Sequence, residues 1–90
     1  MISYFLLGTL RVTEEAKIKL KRIPLDLIAR HAVCEHGDIT GHEQRANANA
    51  KRCVGTILSR YPADPTDRRA GNVLVITNES WDETVVQLEE

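Results

Sequence analysis

The imidazole and thiol side chains of this sequence are concentrated in one stretch, residues 31–53. It contains His31, Cys34, His36, His42 and Cys53, which are all of the histidines and cysteines. Both ligand types suit Zn²⁺, and a structural metal would help to stabilise a small core. Zinc knuckles, however, take paired ligands roughly two to four residues apart, and helix rise places His42 about 16 Å from Cys53 if both lie on one helix. We therefore predict no metal site and no cofactor.

His31 and His36 also lie close in sequence to Asp38, a combination that can serve acid/base chemistry. Histidine titrates near neutral pH and can exchange a proton with a substrate when a carboxylate orients its ring. This spacing is common in proteins of any function, and the sequence has no Gly-rich phosphate loop or nucleophile elbow. A small hydrolase using His31 and Asp38 is therefore one hypothesis, and a structural turn fixed by the same residues is the other.

The composition indicates an ordinary globular chain. Ninety residues allow one domain, which we predict to span 1–90, and a content of 42% hydrophobic and 28% charged residues excludes disorder and coiled coil. No apolar run approaches the roughly 18–20 residues of a membrane span, and the start lacks the basic region of a signal peptide. Two cysteines are too few for a disulfide framework. We expect a cytoplasmic protein with reduced thiols and no membrane association.

Charge is distributed unevenly along the chain although the net charge is only -1. Residues 1–60 hold ten Lys/Arg against six Asp/Glu, whereas residues 61–90 hold two against seven. A basic region can bind nucleic acid, but a compact fold brings the acidic third close enough to neutralise it. Nucleic-acid binding is therefore an alternative and not the favoured function.

Capping residues and apolar spacing predict three helices, over residues 14–22, 25–33 and 41–54. Thr13 can cap the first helix, and Thr40 with Glu43 has the spacing of a capping box for the third. The predicted core-facing positions are, in chain order, Ala16, Leu20 and Ile23; Leu25, Ile28 and Ala32; Ala46, Ala50 and Cys53.

Strands are predicted over residues 2–12, 56–61, 72–77 and 84–88, separated by Gly, Pro and Asp-rich segments. The last three form an antiparallel meander, in which residues 62–71 are a loop and residues 78–83 are short enough for a hairpin. The sequence therefore predicts an α+β fold, with two or three short helices packed on one face of a three- to four-stranded antiparallel sheet.

Several short motifs occur in an order that resembles a known family. They are Ala29-Arg30-His31, Gly37-Asp38, Asn47, Tyr61, Val75-Ile76-Thr77 and Thr84-Val85-Val86. The chain is similar, from Leu7 to Leu88, to short bacterial proteins encoded on plasmids, integrated conjugative elements and phages, usually called plasmid-related proteins. His36 stands where that family tends to have Trp. The resemblance implies a setting in a mobile genetic element and implies no particular activity.

The favoured function is a non-enzymatic accessory protein that binds a host protein or a protein encoded by the same element. Loops on a rigid scaffold are where binding residues concentrate, and the turn after the second helix is rich in polar groups. We therefore predict a binding edge formed by His31, His36 and Asp38 with Asn47 on the next helix. Trp81, in the predicted hairpin loop, is a candidate second anchor.

Overall fold

The computed structural model describes residues 5–89 and confirms the α+β class. Its elements are, in chain order, β1 (Thr9–Val12), α1 (Glu14–Leu20), α2 (Leu25–Ala32), α3 (Gly41–Cys53), β2 (Ile57–Pro62), β3 (Asn72–Thr77) and β4 (Glu83–Leu88). A single 3₁₀ turn, Arg68–Ala70, lies between β2 and β3. Within residues 5–89, no helix is long and apolar enough to cross a membrane.

The four strands form one mixed sheet in the order β1-β4-β3-β2. β2, β3 and β4 make the predicted antiparallel meander, but β1 pairs with β4 in parallel, so the prediction of a purely antiparallel sheet is wrong. Short hairpins force neighbouring strands to run in opposite directions. β1 is connected to the meander through three helices, and no hairpin fixes its direction.

One face of the sheet carries the core. Inward positions alternate along β2, β3 and β4, as the period of two requires. α1, α2 and α3 pack over β4, β3 and β2 respectively. The buried inward side chains are Ile57, Ser59 and Tyr61 on β2, Val73, Val75 and Thr77 on β3, and Thr84 and Val86 on β4. Three of these eight are hydroxyl residues without large apolar groups, so part of the inner face is polar.

The first two helices are shorter than predicted. On α1 the predicted Ala16 is buried and Leu20 packs against the core, whereas the buried face of α2 is rotated. Lys21 adopts a left-handed conformation and ends α1, which leaves Ile23 outside the helix and exposed. Leu25 is exposed as well, whereas Leu27 and His31 are buried beside the expected Ile28. The apolar pattern predicted the wrong buried face for α2 because it did not include His31 as a core residue.

α3 begins as the sequence predicts, but only Ala50 of its three predicted core-facing residues is buried. The Thr40 hydroxyl accepts a hydrogen bond from the Glu43 amide, and the Glu43 carboxylate accepts one from the Thr40 amide, which confirms the capping box. Ala46 and Cys53 are exposed, while Asn47 is buried with Ala50.

The predicted strand over residues 2–12 is confirmed only for Thr9–Val12, and its first residues lie outside the described part of the chain. The strand begins directly after Gly8, which has φ +66°. A Cβ there would stand 2.1 Å from the carbonyl carbon of Asp82, so the close approach of the two segments requires glycine.

The outer edge of β2 is covered by two other parts of the chain. The side-chain amide of Asn47 donates to the Leu58 carbonyl and accepts from the Leu58 amide. Two residues along, the Arg60 amide donates to the carbonyl of His36, and the Arg60 carbonyl accepts from the amide of Asp38. The main-chain groups that face away from β3 are therefore paired at both positions, which protects this edge from joining another strand.

Removing the Thr40 hydroxyl should destabilise the fold by about 1 kcal/mol, because the first turn of α3 loses a cap. Urea denaturation of Thr40→Ala is expected to show a lower midpoint with an unchanged slope. Thr56→Ala is the matched control, since Thr56 is exposed and makes no side-chain hydrogen bond within residues 5–89. Equal midpoints for the two variants would contradict the cap's contribution.

Candidate functional site

A chain of polar groups crosses the interior from α3 to the segment that precedes β1, and we call it the polar chain. Six hydrogen bonds link, in order, Lys51, His36, Ser59, His31, Thr77, Thr84 and the carbonyl oxygen of Leu7. All six are 2.6 to 2.9 Å long. The five side chains between its two ends are buried.

The inner end fixes the direction of the hydrogen bonds. The Thr84 hydroxyl donates its one proton to the Leu7 carbonyl at 2.6 Å, so it must accept from Thr77. The Thr77 proton is thereby used, and Thr77 must accept from His31 Nε2–H. A neutral imidazole carries one N–H, so Nδ1 of His31 accepts the proton of Ser59 at 2.6 Å.

The outer end requires the same direction. Ser59, having donated to His31, accepts from His36 Nδ1–H at 2.7 Å. Nε2 of His36 is then an acceptor, and it faces the Lys51 ammonium at 2.8 Å. An ammonium group can only donate, so the two ends of the polar chain require the same direction of hydrogen bonding. Each hydrogen bond in the polar chain then has one donor and one acceptor.

Both rings are neutral because charging them is unfavourable in this environment. Burial, together with the nearby His36 and Lys51, lowers the pKa of His31 to about 3. Burial and the Lys51 ammonium lower the pKa of His36 to about 4. At neutral pH neither histidine takes up a proton, which is the condition that the hydrogen-bond directions demand.

The turn formed by residues 34–38 brings His36 against β2. It follows α2, and the Tyr61 hydroxyl donates to its Glu35 carbonyl at 2.6 Å. Gly37 has φ +72°, and a Cβ there would stand 2.2 Å from the Arg60 carbonyl oxygen. Only glycine lets the 34–38 turn run this close to the strand.

A second polar cluster, centred on Arg60, lies at the start of α3. The Arg60 guanidinium donates two hydrogen bonds to the Glu43 carboxylate, at 2.7 and 3.0 Å, and one to Glu89 at 2.8 Å. Those bonds lower the pKa of Glu43 to about 2 and raise the pKa of Arg60 above its ordinary value. The cluster ties the start of α3 to β2 and to Glu89, the residue that follows β4.

The structure brings together two of the predicted binding residues and separates a third from them. The His31 and His36 rings lie 5.7 Å apart in an edge-to-face arrangement and share Ser59 as a partner. Asp38 hydrogen-bonds neither ring; it is exposed and lines a shallow cleft of about 410 Å³ with Asp64 and Arg68 among others. The pairing of His31 with Asp38 that a hydrolase would use is not formed.

The other two predicted residues have defined contacts. Asn47 is 2% exposed, and both ends of its amide are used by Leu58. Trp81 is half-buried; its indole N–H donates to the Gly55 carbonyl at 2.8 Å and its ring packs edge-on against Phe5. A binding role for these five residues stays a prediction, and four of them already have contacts that hold the fold.

The other members of the polar chain were not among the predicted site residues, although two of them occur in the motifs that carry the resemblance; they are Ser59, Thr77, Thr84 and Lys51. The available indication was the strand period, which places each of the three hydroxyls on the buried face of its strand. Nothing in the sequence indicated that a lysine near the end of α3 would meet His36.

The polar chain resembles catalytic arrangements in composition but not in access. Ser59 and His31 are 0% exposed, so no substrate can reach the Ser59 hydroxyl in this conformation. Within residues 5–89, no group of three or more His, Cys, Asp or Glu side chains is placed to hold a metal ion.

Comparison with known proteins provides no assignment: no protein-family model, no curated protein and no solved structure matches the chain.

The direction of the polar chain can be checked by the histidine tautomers. At pH 7, long-range ¹H–¹⁵N spectra should show the proton of His31 on Nε2 and that of His36 on Nδ1. Opposite tautomers are expected because the two rings use opposite nitrogens to donate. If both rings carry their proton on the same nitrogen, the deduced direction is wrong.

The polar chain should also make the protein sensitive to mild acid. The unfolded histidines titrate near 6.5, above their folded values, so stability is full above that pH and falls as the pH drops towards 4. At pH 5 the two rings together should lower the free energy of unfolding by about 4 kcal/mol relative to pH 7.5. Glu43 contributes little in this range, because its unfolded carboxyl titrates near 4.5.

Urea denaturation at several pH values measures this loss. His36→Gln should remove about half of the dependence, whereas His42→Gln, a change at an exposed ring on α3, should leave it intact. Identical dependence in the wild-type protein and His36→Gln would contradict the assignment.

Proposed function

We propose that the protein is a non-enzymatic protein-binding module and that its contact surface is the corner between α1 and α2. This α1–α2 corner consists of Ile18, Lys19, Lys21, Ile23 and Leu25. Its three aliphatic side chains are 73%, 65% and 65% exposed, in chain order. That exposure, within eight residues, is the observation that carries the proposal.

The aliphatic residues of the α1–α2 corner have no role in the core. On α1 the buried contact is made by Ala16, on the opposite side of the helix from Ile18. On α2 it is made by Leu27 and Ile28, whereas Leu25 is exposed. Clusters of large exposed apolar side chains are a common feature of protein-binding surfaces.

The charges around the α1–α2 corner favour an acidic partner. Lys17 pairs with Glu14, and Arg22 pairs with Asp26. Lys19 and Lys21 form no ion pair within residues 5–89. A protein segment that combines carboxylates with apolar side chains would complement both features of this surface.

Other partners fit less well. Duplex DNA is bound mainly through its phosphates, which give exposed aliphatic groups nothing to bury against. A helix that lies on a membrane needs a long apolar face, whereas α1 has seven residues and buries Ala16 against the core. The enclosure of His31 and Ser59, and the absence of contact between His31 and Asp38, support a binding role over hydrolysis.

The setting of this function is part of the same proposal. We infer a bacterial mobile element from the resemblance of segments such as Ala29-Arg30-His31 and Gly37-Asp38 to plasmid-related proteins, and the cytoplasm from the presence of only two cysteines. The partner would then be a host protein or a protein encoded by the element.

The test is differential capture from a bacterial lysate with immobilised wild-type protein and two serine variants. Ile18→Ser/Leu25→Ser should reduce capture of the specific partner at least about tenfold, because two apolar anchors are lost. Val33→Ser is the control, since Val33 is 67% exposed but lies at the other end of α2. Equal capture by all three proteins, or no specific partner, overturns the proposal.

Charge reversal and direct binding separate the alternatives. Lys19→Glu/Lys21→Glu should also abolish capture, while Arg45→Glu on α3 should not. If the wild-type protein binds a 20-base-pair duplex with steep salt dependence, the function is nucleic-acid binding and the proposal is wrong. If it binds vesicles of anionic lipid, the function is membrane binding and the proposal is also wrong.

A further inference from the structure

We propose that the 34–38 turn is an acid-released cover of the β2 edge and that the His36 side chain is its latch. The cover pairs with the Arg60 amide and carbonyl, and His36 joins it to Ser59 on β2 and to Lys51 on α3. When the ring is charged, the latch opens and the main-chain groups of Arg60 lose their partners.

A charged His36 has no acceptor for its second proton. Its Nε2 faces the Lys51 ammonium at 2.8 Å, and two cationic donors cannot share a hydrogen bond. Its Nδ1–H already donates to Ser59, whose own proton is held by His31. Protonation therefore replaces a hydrogen bond with repulsion between like charges.

No group around the ring compensates for that charge. From α3 it faces Lys51, from α2 the neutral His31, and from β2 the uncharged Ser59 hydroxyl. The turn itself has two carboxylates: Glu35 is paired with Arg30 at 2.9 Å, and Asp38 is exposed and hydrogen-bonds neither histidine ring.

The Arg60 guanidinium is already paired with Glu43 and Glu89. The Tyr61 hydroxyl donates to the main-chain carbonyl of Glu35. The charged groups buried near the latch are thus either cationic or already paired, and the remaining carboxylate, that of Asp38, points into solvent.

Opening of the turn alone takes up one proton. The folded ring has a pKa of about 4, and a released ring titrates near 6.5. Between these values the population of the open form should rise about tenfold for each unit that the pH falls. Global unfolding also frees His31 and takes up two protons, which gives about a hundredfold per unit.

Amide hydrogen exchange measured by NMR distinguishes the two processes. Between pH 6 and 4.5, protection factors of the Arg60 and Asp38 amides should fall about tenfold per pH unit. The Leu58 amide is the internal control, because it lies on the same edge but bonds to Asn47 instead of the turn. Its protection should not show the tenfold dependence: it stays constant if the amide exchanges through local fluctuation, and falls about a hundredfold per unit if exchange requires global unfolding. If the protection of all three amides falls in parallel, the protein opens globally. If the protection of the Arg60 amide does not fall, His36 does not act as a latch. Either result overturns the proposal.

Two variants on α3 test the mechanism while the His36 ring stays in place. Lys51→Met removes the facing ammonium, so the His36 pKa measured by NMR should rise and the total loss of Arg60 protection should shrink. Arg52→Met is the matched control, since Arg52 is exposed and donates to Asn49. If Lys51→Met leaves both quantities at their wild-type values, the latch is not as we describe.

His36→Gln provides a third test, because glutamine can still hydrogen-bond but cannot titrate. The protection of Arg60 should then be independent of pH between 6 and 4.5. A persistent tenfold dependence in this variant would assign the opening to another group and overturn the proposal.

Discussion

A backbone carbonyl can only accept a hydrogen bond, and the carbonyl of Leu7 imposes that constraint on the whole interior. Because Thr84 donates to it, the protons of Thr77, His31, Ser59 and then His36 must all point the same way. Lys51, a group that can only donate, closes the other end. The interior is therefore fully satisfied with two uncharged rings: no buried side-chain polar atom within residues 5–89 lacks a hydrogen-bond partner.

This arrangement has consequences for packing. Hydroxyls at Ser59, Thr77 and Thr84 occupy inward positions where aliphatic side chains would bury more apolar surface. These hydroxyls fix the position of α2 on the sheet, because they hydrogen-bond to His31 directly or through one another. An apolar contact would define that position less specifically. The remaining apolar core is divided between a larger cluster around Tyr61 and a smaller one around Ile57. The polar chain lies against both, since His31 also packs edge-on against Phe5 of the smaller cluster.

Local chemistry made part of this structure predictable from the sequence. The capping box at Thr40, the meander and the α+β class depend on residues close in the chain, and all three are confirmed. The direction of β1 was wrong because no short connection determines it. The buried faces of α2 and α3 were wrong because His31 and Asn47 are polar residues whose burial depends on partners 11 to 46 positions away. His31, His36 and Asn47 were selected as site residues for their polarity, which the structure uses within the fold.

A chain of hydrogen bonds with one direction is also a constraint on how the sequence can change. Replacing Ser59 with alanine removes a donor to one ring and an acceptor from the other, so the loss is not confined to one bond. A single apolar substitution at Thr77 likewise removes the acceptor of the His31 Nε2–H and the donor to the Thr84 hydroxyl. We expect these positions to vary together in related sequences, as a block that is either polar throughout or apolar throughout. The interior then behaves as one evolutionary unit, in which no single position can change alone.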